Sequence, residues 1–77
     1  MERFPSLKAR KLLSILKAAP LNYQVIRQKG SHRHMEAEGR GRVLFAFHDR
    51  ETIPGGMVRK ILVDQVGLDE EDARKLI

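Results

Sequence analysis

Between Tyr23 and Phe47 the chain alternates between short extended segments and connections too short to hold a helix. Tyr23-Gln24-Val25-Ile26-Arg27-Gln28 is rich in β-branched and aromatic residues and reads as a strand. Lys29-Gly30 reads as a tight turn, because Gly30 is free to take positive φ. Ser31 to Glu36 reads as a second strand, and Glu38-Gly39-Arg40-Gly41 as a hairpin loop. Arg42 to Phe47 reads as a third strand, with Val43, Phe45 and Phe47 on one side and Leu44, Ala46 and His48 on the other. Connections this short join antiparallel strands, so the order predicts an antiparallel meander.

Helical patterns flank the meander. Within residues 6–18, Ala9, Leu12, Leu13 and Leu16 recur at helical spacing, with Leu7 and Ile15 widening the stripe. Lys8, Arg10, Lys11, Ser14 and Lys17 fall mostly on the opposite face, Ser6 is the expected N-cap, and Pro20 ends the helix. After Pro54-Gly55-Gly56, the residues Met57, Val58, Ile61, Leu62 and Val66 again follow helical spacing, and Gly67 is the stop. Asp69 is placed to cap a short last helix, whose acids Glu70, Glu71 and Asp72 precede its bases Arg74 and Lys75. The fold class expected is α+β, in the order α-β-β-β-α, with the helices covering one face of a three-stranded antiparallel sheet. The other face stays open to solvent or a ligand, as in double-stranded-RNA-binding domains.

A chain of 77 residues makes one small domain, expected over 1–77. It has no cysteine, which excludes disulfides, thiolate zinc sites and cysteine nucleophiles. No stretch is apolar enough to span a membrane, and Met1-Glu2-Arg3-Phe4-Pro5 lacks the apolar core of a signal peptide, so a cytoplasmic protein is expected. The net charge of +5 is unevenly spread. Residues 1–34 hold eight bases against one acid, whereas residues 64–77 hold five acids against two bases. A basic first half attracts nucleic-acid phosphates, although a merely solvated basic face has the same composition.

There is no hydrolase-triad spacing and no phosphate-binding P-loop. The histidines are His32, His34 and His48. His32 follows the glycine turn and is flanked by Lys29 and Arg33, while His34, two residues on, belongs to the same strand face. An imidazole exchanges protons near neutral pH, and RNA brings its own nucleophile, the 2′-hydroxyl. Cleaving RNA therefore needs only a proton acceptor, a proton donor and charge stabilisation, with no metal or other cofactor. His32 and His34, with Glu36 on the same face, otherwise make only a weak metal site, and His48-Asp49-Arg50 reads as a polar turn.

The run Tyr23-Gln24-Val25-Ile26-Arg27-Gln28-Lys29-Gly30-Ser31-His32 resembles the signature of the HicA toxins, the YcfA-like family. Ile53-Pro54-Gly55-Gly56-Met57-Val58-Arg59-Lys60-Ile61-Leu62 resembles the family's glycine-led helix, and Val66-Gly67-Leu68-Asp69-Glu70-Glu71 its ending. The resemblance runs from about Leu7 to the C-terminus. It implies a small messenger-RNA interferase of double-stranded-RNA-binding-like fold, paired with a HicB antitoxin, with His32 as the functional histidine. Arg27, Lys29, Ser31 and Arg33 around it are the expected RNA contacts. Two positions depart from the family pattern. Asn22 stands where glycine is usual, and asparagine tolerates left-handed backbone. Ala46-Phe47 stands where proline often precedes the histidine after strand three, which weakens any carry-over to His48. A non-catalytic double-stranded-RNA-binding module is the alternative reading, and a protein-binding adaptor a third.

Overall fold

The structure, a computed structural model, describes residues 3–77; Met1 and Glu2, which entered the leader and charge readings above, lie outside the described residues. The elements run β1 (Leu7–Lys8), α1 (Ala9–Lys17), β2 (Gln24–Lys29), β3 (His32–Glu36), β4 (Val43–Ala46), β5 (Thr52–Ile53), α2 (Gly55–Arg59) and α3 (Glu70–Lys75). Between α2 and α3 the helix continues over Lys60–Gln65 with the wider π-type bonding. Strands β2, β3 and β4 form the expected antiparallel sheet in chain order. This is the α+β arrangement anticipated from the sequence.

The first helix begins later than its leucine pattern suggested. Leu7 and Lys8 pair with Ile53 and Thr52 in a two-residue antiparallel ladder. The helix starts at Ala9 with Lys8 as an extended N-cap that contributes no side-chain bond, so Ser6 is not the cap. Carbonyls of the β4–β5 loop replace it: the Ala9 N–H donates to Glu51 O at 2.8 Å and the Arg10 N–H to Asp49 O at 3.2 Å. The unpartnered N–H groups of a first turn are thereby satisfied by main chain rather than by a serine hydroxyl. At the other end, Asn22 adopts φ 56°, the left-handed geometry that its residue type permits.

The core gathers Ala9, Leu12 and Leu16 from α1, Met35, Val43 and Phe45 from the inner sheet face, and Val58, Ile61, Leu62 and Val66 from the second helix. Phe45 is wholly buried, and cutting it to alanine would cost about 3–5 kcal/mol. Met57, expected in the helical stripe, is instead left exposed. Asp69 does cap α3, accepting the Asp72 N–H at 2.8 Å. The Arg59 guanidinium donates to Glu70 at 2.9 Å, a hydrogen bond that holds the Glu70 carboxyl below its usual range. Among the described residues no helix is long and apolar enough to cross a membrane.

Two contacts fix the hairpin between β3 and β4. Buried Tyr23 donates its hydroxyl to the Gly41 carbonyl at 2.6 Å. Burial pushes the phenol pKa up, against the opposing pull of the Arg40 charge. Gly41 lies so close to the Gln65 carbonyl that a Cβ there would overlap it. The loop and the end of the second helix therefore meet backbone to backbone, which only glycine allows.

Candidate nucleic-acid interface

The β2–β3 turn consists of Gly30 and Ser31, one residue later than the sequence suggested, and Lys29 is the last residue of β2, paired with His32. Gly30 has φ 61° and Ser31 lacks positive φ. Glycine at the first central position is what a two-residue II′ hairpin turn requires, since its twist matches that of the flanking strands.

An irregularity in β2 decides what this hairpin shows to solvent. Val25 pairs with Met35, facing the core, but the next pair is Arg27 with His34. Ile26 is the extra residue of a β-bulge. Without it, strict alternation would send Arg27 and Lys29 to the same face as Val25, into the helices. With it, Arg27 lies across from His34, and Lys29 across from His32, on the uncovered face. On the far side of β3, Ala46 flanks His32 and Leu44 flanks His34. Arg27, Lys29, Gly30, His32 and His34 line one shallow depression. On the same open face Leu44 is left 43% exposed next to His34, and Ile26, 52% exposed, lines a separate depression with Gln24 and Glu36.

The remaining expected contacts fall elsewhere. Arg33 lies on the inner face of β3, opposite Phe45 and Gln28. It donates to the Phe47 carbonyl at 3.4 Å and ion-pairs with Asp49 at 3.6 Å, its side chain only 17% exposed. It therefore ties β3 to the segment after β4 and does not share the surface of His32. Ser31 is half-buried within the turn and does not line the depression. His48 sits in an exposed turn, its N–H donating to Glu51 Oε1 at 3.2 Å, as its sequence context suggested. Glu36, on the open face two residues beyond His34, is engaged by the Arg42 guanidinium at 2.9 Å. No group of three histidine or acidic side chains among the described residues is placed to hold a metal ion.

A second basic cluster was not singled out from the sequence. Lys8, at the end of β1, and Arg10, Lys11 and Ser14 of α1 line a depression with Asp49 and Arg50. The charge excess of the first half was its signal. That Arg50 joins α1 there follows only from the β4–β5 loop packing onto the helix start, where Lys8 Nζ donates to the Arg50 carbonyl at 3.4 Å.

This sheet, its two imidazoles and their flanking cations all fall within one matched stretch. The family model of the HicA toxin of bacterial toxin–antitoxin systems matches residues 9–68, from the start of α1 to just beyond the second helix. Neither the curated proteins nor the solved structures give a match. A family match over this much of a 77-residue chain, on the fold just described, places it plainly: the protein belongs to the HicA toxin family, as the toxin partner of a cognate antitoxin.

Proposed function

We propose that this toxin is an endoribonuclease that cleaves messenger RNA through His32, without a metal, and thereby stops translation in the cytoplasm. The observation that carries the reading is the open sheet face, where His32 and Lys29 stand as a cross-strand pair beside Arg27 and His34 in one depression. The 2′-hydroxyl of the RNA attacks the adjacent phosphorus. A 2′-O–P bond forms, the P–O bond to the 5′-oxygen breaks, and the products are a 2′,3′-cyclic phosphate and a 5′-hydroxyl. His32 accepts the 2′-hydroxyl proton as attack proceeds, a contribution typically worth 10²–10⁴-fold in rate. Lys29 and Arg27 offset the charge that builds on the non-bridging oxygens. Cross-strand neighbours on one sheet face stand about 4.5–5.5 Å apart at Cβ, within reach of a phosphate held over His32.

The antitoxin in this reading is a HicB-like protein, the partner of a type II module, and it covers the cationic face with a complementary acidic surface. Incubating purified toxin with end-labelled messenger RNA in EDTA tests the enzyme reading. Cleavage to cyclic-phosphate ends, abolished in His32→Ala, is the expected result. Wild-type protein that retards the RNA on a gel but never cuts it would establish the non-catalytic RNA-binding module instead. The cluster of Lys8, Arg10, Lys11 and Arg50 would then be its first contact surface.

A further inference from the structure

The proposed cleavage leaves one proton unassigned. The departing 5′-oxygen is a poor leaving group until it is protonated, and a single histidine that has just taken a proton from the 2′-hydroxyl lies on the wrong side of an in-line phosphate to supply it. We infer that His34 is this donor, a catalytic residue working opposite His32 across one bound phosphodiester. The inference rests on the ribonuclease reading above and adds a residue to it.

Three features of the structure support the assignment. First, His32 and His34 are alternate residues of β3, so both project from the open face, with Cα atoms about 7 Å apart. That spacing lets two imidazoles approach opposite sides of a single phosphorus, each within hydrogen-bond reach of its own oxygen. Second, both line the same depression, and each has a cation directly across the β2–β3 ladder: Lys29 beside His32 and Arg27 beside His34. The phosphate seated between the imidazoles is thus held at both ends. Third, the surroundings differ. His32 is exposed at the hairpin tip, open to an incoming ribose, whereas His34 is half-buried one pair deeper, with Leu44 beside it on β4. A base resting on the exposed side chain of Leu44, on the 3′ side of the cut, would bring that nucleoside's 5′-oxygen to His34. The one carboxylate further along the strand on this face, Glu36, is held by Arg42.

In the step, the 2′-hydroxyl proton passes to His32 as the 2′-O–P bond forms. A proton from His34 passes to the 5′-oxygen as its bond to phosphorus breaks. Exchange with water then returns His32 to the neutral form and His34 to the protonated form.

A substrate that needs no proton on its leaving group tests this directly. Wild-type toxin first maps a cleavage site in a defined RNA oligonucleotide. The same oligonucleotide is then made with sulfur in place of the bridging 5′-oxygen at that phosphate. A thiol ionises near pH 8.5, so the thiolate departs unprotonated. His34→Ala and His34→Gln should cleave the oxygen substrate about 10²–10⁴-fold more slowly than wild type, yet cut the sulfur substrate at the wild-type rate. His32→Ala should be slow on both. Far-UV circular dichroism and melting curves for each variant establish that it is folded. The assignment is overturned if folded His34 variants cut the oxygen substrate normally, if they are equally slow on both substrates, or if sulfur rescues His32→Ala instead. A wild-type protein that cleaves at no site in the mapping step removes the ribonuclease reading itself, a result distinct from any of these.

Discussion

Replacing Arg33 separates the two faces of β3 more sharply than any other substitution. In sequence Arg33 is the immediate neighbour of His32 and an obvious RNA contact. In the fold it points inward, and its loss should damage stability rather than RNA binding. The ion pair with Asp49 at 3.6 Å involves a carboxylate that is 54% exposed, so it contributes about 0.2–1 kcal/mol. The bond to the Phe47 carbonyl is long at 3.4 Å, and about 0.5 kcal/mol is appropriate for it. The methylene stem is largely covered beside Phe45, its cross-strand partner, and adds about 1 kcal/mol of apolar burial. Arg33→Ala should therefore cost about 2 kcal/mol, which in a chain of this size lowers the melting temperature by roughly 8–16 °C. Arg33→Met keeps the stem and should cost about half as much. Urea unfolding reads both values. RNA binding is then measured in a His32→Ala background by filter retention across a salt series, below the melting point of each variant. Arg27→Ala should reduce the slope of log affinity against log salt by about 0.7, the value for one phosphate contact on a single strand, and Arg33→Ala should leave it unchanged. An Arg33→Ala protein of undiminished stability whose salt slope falls as much as that of Arg27→Ala would refute the inward assignment.

Lys29→Ala, at the cross-strand position beside His32, should weaken binding to all RNA sequences alike and lower the same salt slope by about 0.7; an unchanged slope removes it from the phosphate contacts. Tyr23→Phe deletes the 2.6 Å bond to the Gly41 carbonyl and should cost about 1 kcal/mol near neutral pH by urea unfolding. Because the folded phenol pKa is raised, the stability it carries is complete below the ordinary tyrosine value and is lost as the pH rises through the raised one. Tyr23→Phe should flatten that alkaline loss, and an identical alkaline decline in both proteins would contradict the burial argument. Gly41→Ala forces a methyl group onto the Gln65 carbonyl and should cost at least about 1–3 kcal/mol, whereas an unaltered urea midpoint would mean that the loop moves away freely. On binding the antitoxin, amide exchange should slow across residues 27–34. Protection confined to 9–17 and 57–66, with 27–34 unchanged, would show inhibition from the helical face.

The architecture was legible because its signals are local. Period-two runs, a glycine turn, a proline stop and a capping aspartate each act within a few residues, and the meander, α1 and the Asp69 cap follow from them. Asn22 belongs with these, since a left-handed residue is chosen by its own side chain. His32 stands out in the sequence by its place just after the glycine turn and by the resemblance of the run that ends on it to the HicA signature. The shared face of His32 and His34 follows from the strand period alone.

The long-range features were decided by contacts that no local pattern encodes. The bulge at Ile26 carries no glycine to announce it, yet this single extra residue turns Arg27 and Lys29 from the core side to the open side. The physical reason is packing. The inner face must present Val25, Met35, Val43 and Phe45 to the helices, and β2 takes up one residue so that its two cations escape burial. Arg33 was misjudged for the converse reason. Its partners, the Phe47 carbonyl and Asp49, lie fourteen and sixteen positions away and come within reach only after β4 has paired with β3. Ser6 lost its capping role to the Leu7–Lys8 ladder with Thr52–Ile53, a pairing across more than forty residues. The residue types defined which groups could handle an RNA phosphate, and the register of three strands decided which of them stand together on the open face.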